Sequence, residues 1–139
     1  MNVLVTGAFG NIGTSAVQEL LRQGHQVRCL ARNTKRNERA ARQFAGKIEI
    51  AWGDIRRPAD LEAAVAGQDV IVHLAYALPQ FCNEQPDVAR EINVNGTKYL
   101  LDAARKQPRP PKFTATQRAI EERRVGGNPP KLRPEAQAS

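Results

Sequence analysis

Between the apolar run Val3-Leu4-Val5 and an amphipathic segment, the chain carries Thr6-Gly7-Ala8-Phe9-Gly10-Asn11-Ile12-Gly13, three glycines within eight residues. Few backbones satisfy a strand that becomes a helix through such a stretch. One glycine takes the tight turn, one lets the backbone approach a phosphate, and one lets the helix pack close to the strand. Free N–H groups at the helix start, at the positive end of its dipole, then favour an anion. The turn is therefore spaced for a dinucleotide, and it points to a parallel sheet with crossover helices.

The remaining pattern alternates as that fold requires. Strands are expected over 2–5, 26–31, 47–52 and 69–75, and helices over 12–23, 35–45, 59–66 and 87–106. Gly24 and Gly67 stand where the first and third helices should stop. The unbroken apolar run Val70-Ile71-Val72-His73-Leu74-Ala75 suits a strand covered on both faces, and His73 within it reads as a packed core residue. The expected fold class is α/β, a Rossmann-like parallel sheet with helices on both faces. Its strand order is 3-2-1-4, and it ends after the fourth strand and the helix that follows.

Charge divides the chain in two. The net charge is +7, yet residues 1–104 hold 12 Lys/Arg against 11 Asp/Glu, whereas residues 105–139 hold 9 against 3. Six of the nine prolines also lie in the second part. Such a segment buries too little apolar surface to offset its ordering entropy. The expected division is a dinucleotide-binding domain over 1–107 and a basic, proline-rich, disordered tail over 108–139, with a short helix around 116–124. No aromatic platform or recognition helix accompanies the tail basicity, which argues against nucleic acid as a partner. No apolar run approaches the roughly 18 residues of a membrane span, and the N-terminus lacks a leader pattern, so a soluble, cytoplasmic protein is expected. Cys29 and Cys82 show neither metal-ligand spacing nor a disulfide framework.

The glycine spacing is GxxGxxG rather than GxGxxG, preceded by Val-Thr and with Ile12 before the last glycine. In this it resembles the extended and atypical short-chain dehydrogenase/reductases, the NAD-dependent epimerase/dehydratase family. Further matches lie in Gly53-Asp54-Ile55, in His73-Leu74-Ala75-Tyr76, and in Asn93-Val94-Asn95-Gly96-Thr97 followed by Leu100-Leu101-Asp102-Ala103-Ala104. The resemblance implies that Thr6, Gly7, Phe9, Gly10, Asn11, Ile12 and Gly13 hold the pyrophosphate side of a dinucleotide. It implies that Asp54 accepts from the adenine amino group, with Ile55 beside the ring. Leu74, Ala75, Tyr76 and Asn93 then border the ribose and nicotinamide side, where Tyr76 stands for a small residue and narrows the pocket.

Cofactor choice is read at the end of the second strand. An NAD site usually places Asp or Glu there, whereas this chain has Leu30-Ala31-Arg32-Asn33, and no acid stands in that region before Glu38. A planar guanidinium suits a 2′-phosphate, so Arg32 favours NADP over NAD.

The family's chemistry uses a Tyr-x-x-x-Lys helix after a fifth strand. Here Lys112-Phe113-Thr114-Ala115-Thr116 makes a poor strand, and neither Tyr76 nor Tyr99 has Lys four positions on. No catalytic residue is assigned. The expectation is an NAD(P)-binding protein of the epimerase/dehydratase type, truncated or frameshifted, whose family transfers hydride on a small or sugar-nucleotide substrate. The alternative is a non-catalytic dinucleotide-binding or regulatory module with a basic interaction tail. An unpaired fourth strand and the long helix each offer a surface for a homodimer.

Overall fold

The structure, a computed structural model, describes residues 1–77 and 79–115. Five parallel strands form one sheet: β1 (Asn2–Thr6), β2 (Gln26–Ala31), β3 (Glu49–Trp52), β4 (Val70–His73) and β5 (Lys112–Ala115). Their spatial order is β3-β2-β1-β4-β5. The chain leaves β1 to build β2 and β3 on one side, then returns to add β4 on the other. The switch point of the sheet thus lies between β1 and β4, and in open sheets of this kind ligands bind at that point, beyond the carboxyl ends of the strands.

Helices α1 (Asn11–Arg22), α2 (Lys35–Arg42) and α3 (Pro58–Val65) connect the first four strands. After β4 come α4 (Pro79–Glu84) and α5 (Pro86–Arg90), then a π-helical stretch over Glu91–Gly96 that runs directly into α6 (Thr97–Arg105). The single helix expected over 87–106 is therefore wide-turned in its middle, and α4 lies where no element was expected. Of the other expected helices, α1 and α3 each begin and end one residue earlier, and α2 stops three residues short.

Strand alternation sorts the core into two layers. Val3, Val5, Val27 and Cys29 face Val17 of α1 and Phe44 after α2, while Leu4, Leu30 and Ile71 face Leu61, Ala64 and Val65 of α3 and Leu100, Ala103 and Ala104 of α6. Each fully buried Leu or Ile here contributes about 1.5–3 kcal/mol. Arg28 anchors α3 to the sheet, since its Nη1 donates to Ala64 O and Ala66 O, both at 2.8 Å, on carbonyls the helix end leaves open. Its Nε lies 3.2 Å from Glu49 Oε1.

The fifth strand corrects the expectation that the sheet stops at β4. Val70 to His73 pair in register with Lys112 to Ala115, and Lys112 N donates to Asp69 O at 3.0 Å. The sheet therefore runs past the boundary placed at residue 107, and β4 has neighbours on both sides. Backbone pairing with β4 needs little from side chains. Only Phe113 packs, against the α3/α6 layer and 5.8 Å between ring centroids from His73. The expected helix over 116–124 and the rest of the tail lie outside the described residues. No described helix is long and apolar enough to cross a membrane.

Candidate functional site

The glycine turn divides its labour visibly. Gly7 has φ +68°, and a Cβ there would lie 2.6 Å from Leu74 C and O and 2.8 Å from Ala75 N. At Gly13 a Cβ would lie 1.9 Å from Gly7 O. Both positions are fixed by the protein's own packing. Gly10 differs, because a Cβ there would meet only Gly7 O at 3.6 Å, an ordinary contact. Gly10 is also the N-cap of α1, with no side-chain cap bond and no acid in the first turn. By contrast α2 is capped by Thr34, whose Oγ1 accepts from Asn37 N at 3.1 Å. The first turn of α1 thus keeps its N–H groups free of side-chain caps.

Across the switch point, Thr6 joins β1 to the segment after β4. Its Oγ1 accepts from Leu74 N at 3.1 Å and from Ala75 N at 3.2 Å, and lies 2.6 Å from His73 Nδ1. His73 Nε2 lies 3.0 Å from Thr97 Oγ1, which donates to Asn93 O at 2.7 Å. A hydroxyl has one proton, so Thr97 must accept from His73, and the network assigns the proton to Nε2. Nδ1 then accepts from the Thr6 hydroxyl. Burial pushes the His73 pKa down to about 4, which keeps the ring neutral.

Asn93 is buried in the π-helical stretch. Its Oδ1 accepts from Ala77 N at 2.8 Å, and its Nδ2 lies 3.7 Å from Cys82 Sγ. The carboxamide is thus committed to the segment after β4. Tyr76 turns its ring onto His73, with centroids 4.7 Å apart, so its bulk lies against the histidine. Phe9 packs with the α1 layer, 6.4 Å from the Phe44 ring, and only its backbone belongs to the turn. Ile12 and Asn11 are exposed on the first turn of α1.

The ends of β2 and β3 are tied by Gly53 N donating to Ala31 O at 2.9 Å. Beyond them, Arg56 grips Asp54: Nη2 donates to Oδ2 at 2.8 Å, while Nε and the backbone N donate to Oδ1 at 3.1 and 2.9 Å. These bonds hold the Asp54 carboxyl below the usual carboxylate range, and the nearby charge of Arg32 adds to the effect. Asp60 Oδ2 accepts from Asp54 N at 3.0 Å. Ile55 meets Gly96, where a Cβ would lie 2.9 Å from Ile55 Cγ1. That close approach is the packing reason for a glycine inside the helix.

Thr6, Gly7, Leu74 and Ala75 therefore converge at the ends of β1 and β4, and Arg32 and Asp54 stand at the ends of β2 and β3. Arg56, Asp60 and Thr97 carry bonds in this region that spacing did not reveal. Only Thr97 had a signal, its place beside Gly96. Cys29 is inert, with burial pushing its thiol up to about 12.

The family model described as NAD dependent epimerase/dehydratase matches residues 3–117. Photosystem II assembly factor Ycf39 of Cyanophora paradoxa is 34% identical over 105 residues, covering 76% of this chain and 30% of the relative. The 3-beta-hydroxysteroid dehydrogenase of Mycolicibacterium neoaurum is 34% identical over 106 residues, 73% of this chain and 28% of its own. Among solved structures, Pen of Bacillus thuringiensis superposes with a TM-score of 0.70 at 30% identity, covering 74% of this chain and 33% of that one. The UDP-glucose 4-epimerase of Thermus thermophilus, solved with NAD, gives 0.67 at 28% identity, covering 76% and 34%. The chain spans 30% and 28% of the length of these two curated relatives. With its family model matched from Val3 to beyond β5, the chain belongs to the NAD dependent epimerase/dehydratase family.

Proposed function

We propose that this chain binds a nicotinamide dinucleotide across the carboxyl ends of β1 and β4, with NADP preferred over NAD. It is the cofactor-binding part of a protein of the epimerase/dehydratase type. One observation carries this reading. Packing demands glycine at positions 7 and 13, whereas position 10 has room for a side chain, so the lack of one answers to a ligand. The uncapped first turn of α1 supplies N–H donors and a positive dipole end beside Gly10. Arg32, at the end of β2, takes the 2′-phosphate. Asp54 and Ile55 take the adenine side, and Leu74, Ala75, Tyr76 and Asn93 border the ribose and nicotinamide. When bound, the nicotinamide supplies the hydride donor or acceptor, and the family's chemistry suits a small or sugar-nucleotide substrate.

Solved relatives that carry NAD support a nicotinamide dinucleotide, and the preference for NADP rests on Arg32. Trp52, the chain's single tryptophan, is 40% exposed at the end of β3 and provides a reporter. Fluorescence titration with NADPH and NADH is expected to give tighter binding of NADPH. No saturable quenching by either would overturn the reading.

A second reading, binding without turnover by this chain alone, is favoured by its two tyrosines. Tyr76 and Tyr99 are followed four positions on by Gln80 and Ala103, not by Lys. Hydride transfer from NADPH to carbonyl substrates by the purified chain would sink it.

A further inference from the structure

The segment 74–77 is held from two sides. On one side Thr6 Oγ1 accepts from Leu74 N and Ala75 N, and the glycine turn presses on the same backbone at Gly7. On the other side Asn93 Oδ1 accepts from Ala77 N, and Thr97 joins the Asn93 carbonyl to His73. The second set of bonds starts from the π-helical stretch. There the wider turn leaves Asn93 and Gly96 buried, with Gly96 against Ile55. A π-bulge costs regular helix bonding and is retained where it aims side chains that an α-helix would misplace.

We propose that Thr97 is a positioning residue for the dinucleotide. Through His73 and Asn93 it fixes the path of residues 74–77, and so the width of the crevice between the glycine turn and the end of β4. The inference rests on the cofactor reading above. Thr97 touches no ligand in this scheme. Its hydroxyl accepts the His73 Nε2 proton and donates to Asn93 O, so both ends of the link are spoken for by one atom. Replacing the hydroxyl by a methyl leaves a buried imidazole N–H without a partner and frees the Asn93 carbonyl. The parts of the ligand nearest β4 then lose their preformed wall, while the adenosine end, over β2 and β3, keeps its own contacts.

This split supplies the test. Trp52 fluorescence titrations would compare NADPH with 2′,5′-ADP, which holds only the adenosine half, for the wild-type chain, Thr97→Val and Thr97→Ser. Thr97→Val is expected to weaken NADPH about tenfold and leave 2′,5′-ADP within about twofold, because only the far half of the ligand depends on the 74–77 path. Thr97→Ser, which keeps the hydroxyl, is expected to restore NADPH binding. Equal weakening of both probes would assign Thr97 a general structural role and overturn the proposal. Unchanged NADPH binding in Thr97→Val would overturn it too, while leaving the cofactor reading intact. If Thr97→Val does not fold, failure of Thr97→Ser to bind NADPH like wild type while still binding 2′,5′-ADP would show that the hydroxyl is not what matters. Failure of the wild-type chain to bind either probe overturns the cofactor reading itself, and the inference with it.

Discussion

Thr6 Oγ1 and His73 Nδ1 lie 2.6 Å apart between the ends of β1 and β4, and neither residue is exposed. Because Thr6 also accepts two amides and His73 also donates to Thr97, every polar atom of the pair has a partner only while the ring is neutral. A second ring proton would face a hydroxyl that has already given its own.

Stability is therefore expected to decline in mild acid. The unfolded chain takes up a proton near the ordinary histidine value of 6.5, whereas native His73 resists until about 4. Above about pH 6.5 this group costs nothing, and the loss grows to about 3 kcal/mol as pH falls toward 4. Asp54 acts further down, since its lowered pKa gives stability that is lost as pH falls through the native value. Thermal melts followed by circular dichroism at a series of pH values check this. A melting temperature independent of pH between about 6.5 and 4 would contradict it.

The glycines can be separated by substitution. Gly13→Ala is expected to destabilise the fold by about 3 kcal/mol, because the new Cβ strikes the Gly7 carbonyl. Gly10→Ala is expected to leave the melting temperature nearly unchanged and to weaken NADPH binding at least tenfold. Similar losses of stability in the two variants would remove the argument that position 10 answers to a ligand.

Arg32→Ala is expected to reduce the preference for NADPH over NADH and to leave NADH affinity close to wild type. A guanidinium at a 2′-phosphate contributes about 1.5–3 kcal/mol, which corresponds to roughly tenfold to a hundredfold. Equal wild-type affinities for the two nucleotides would overturn the assignment before any variant is made.

Phe113→Ala tests the fifth strand. The ring is half-buried against the α3/α6 layer and near His73, so its loss is expected to cost about 1–3 kcal/mol in chemical denaturation. Lys112→Ala on the exposed side serves as control and is expected to stay within about 0.5 kcal/mol. Indistinguishable midpoints would mean that β5 adds nothing to the sheet.

Much of the site was legible because its signals are local. The glycine turn, the alternation of strand and helix, and Arg32 in place of an acid each occupy a few consecutive residues whose backbone needs or charge stand on their own. Phe113 shows the opposite case. Lys112-Phe113-Thr114-Ala115 has weak strand character, and what makes it β5 is the open edge of β4 waiting in register beside it. Nothing within the four residues records that edge.

By itself the sequence determined the order of β1 to β4, the helices between them and the place of the glycine turn, since periodicity and glycine geometry act over one turn or one strand. Tertiary structure decided the rest. Thr6 and His73 are 67 positions apart, and His73 and Thr97 are 24 apart. The grip of Arg56 on Asp54, though short in sequence, depends on how the chain bends after β3. Hydrogen bonds of this kind are fixed by which strands become neighbours, and the folded sheet alone brings Thr6, His73, Thr97 and Asn93 into one continuous chain.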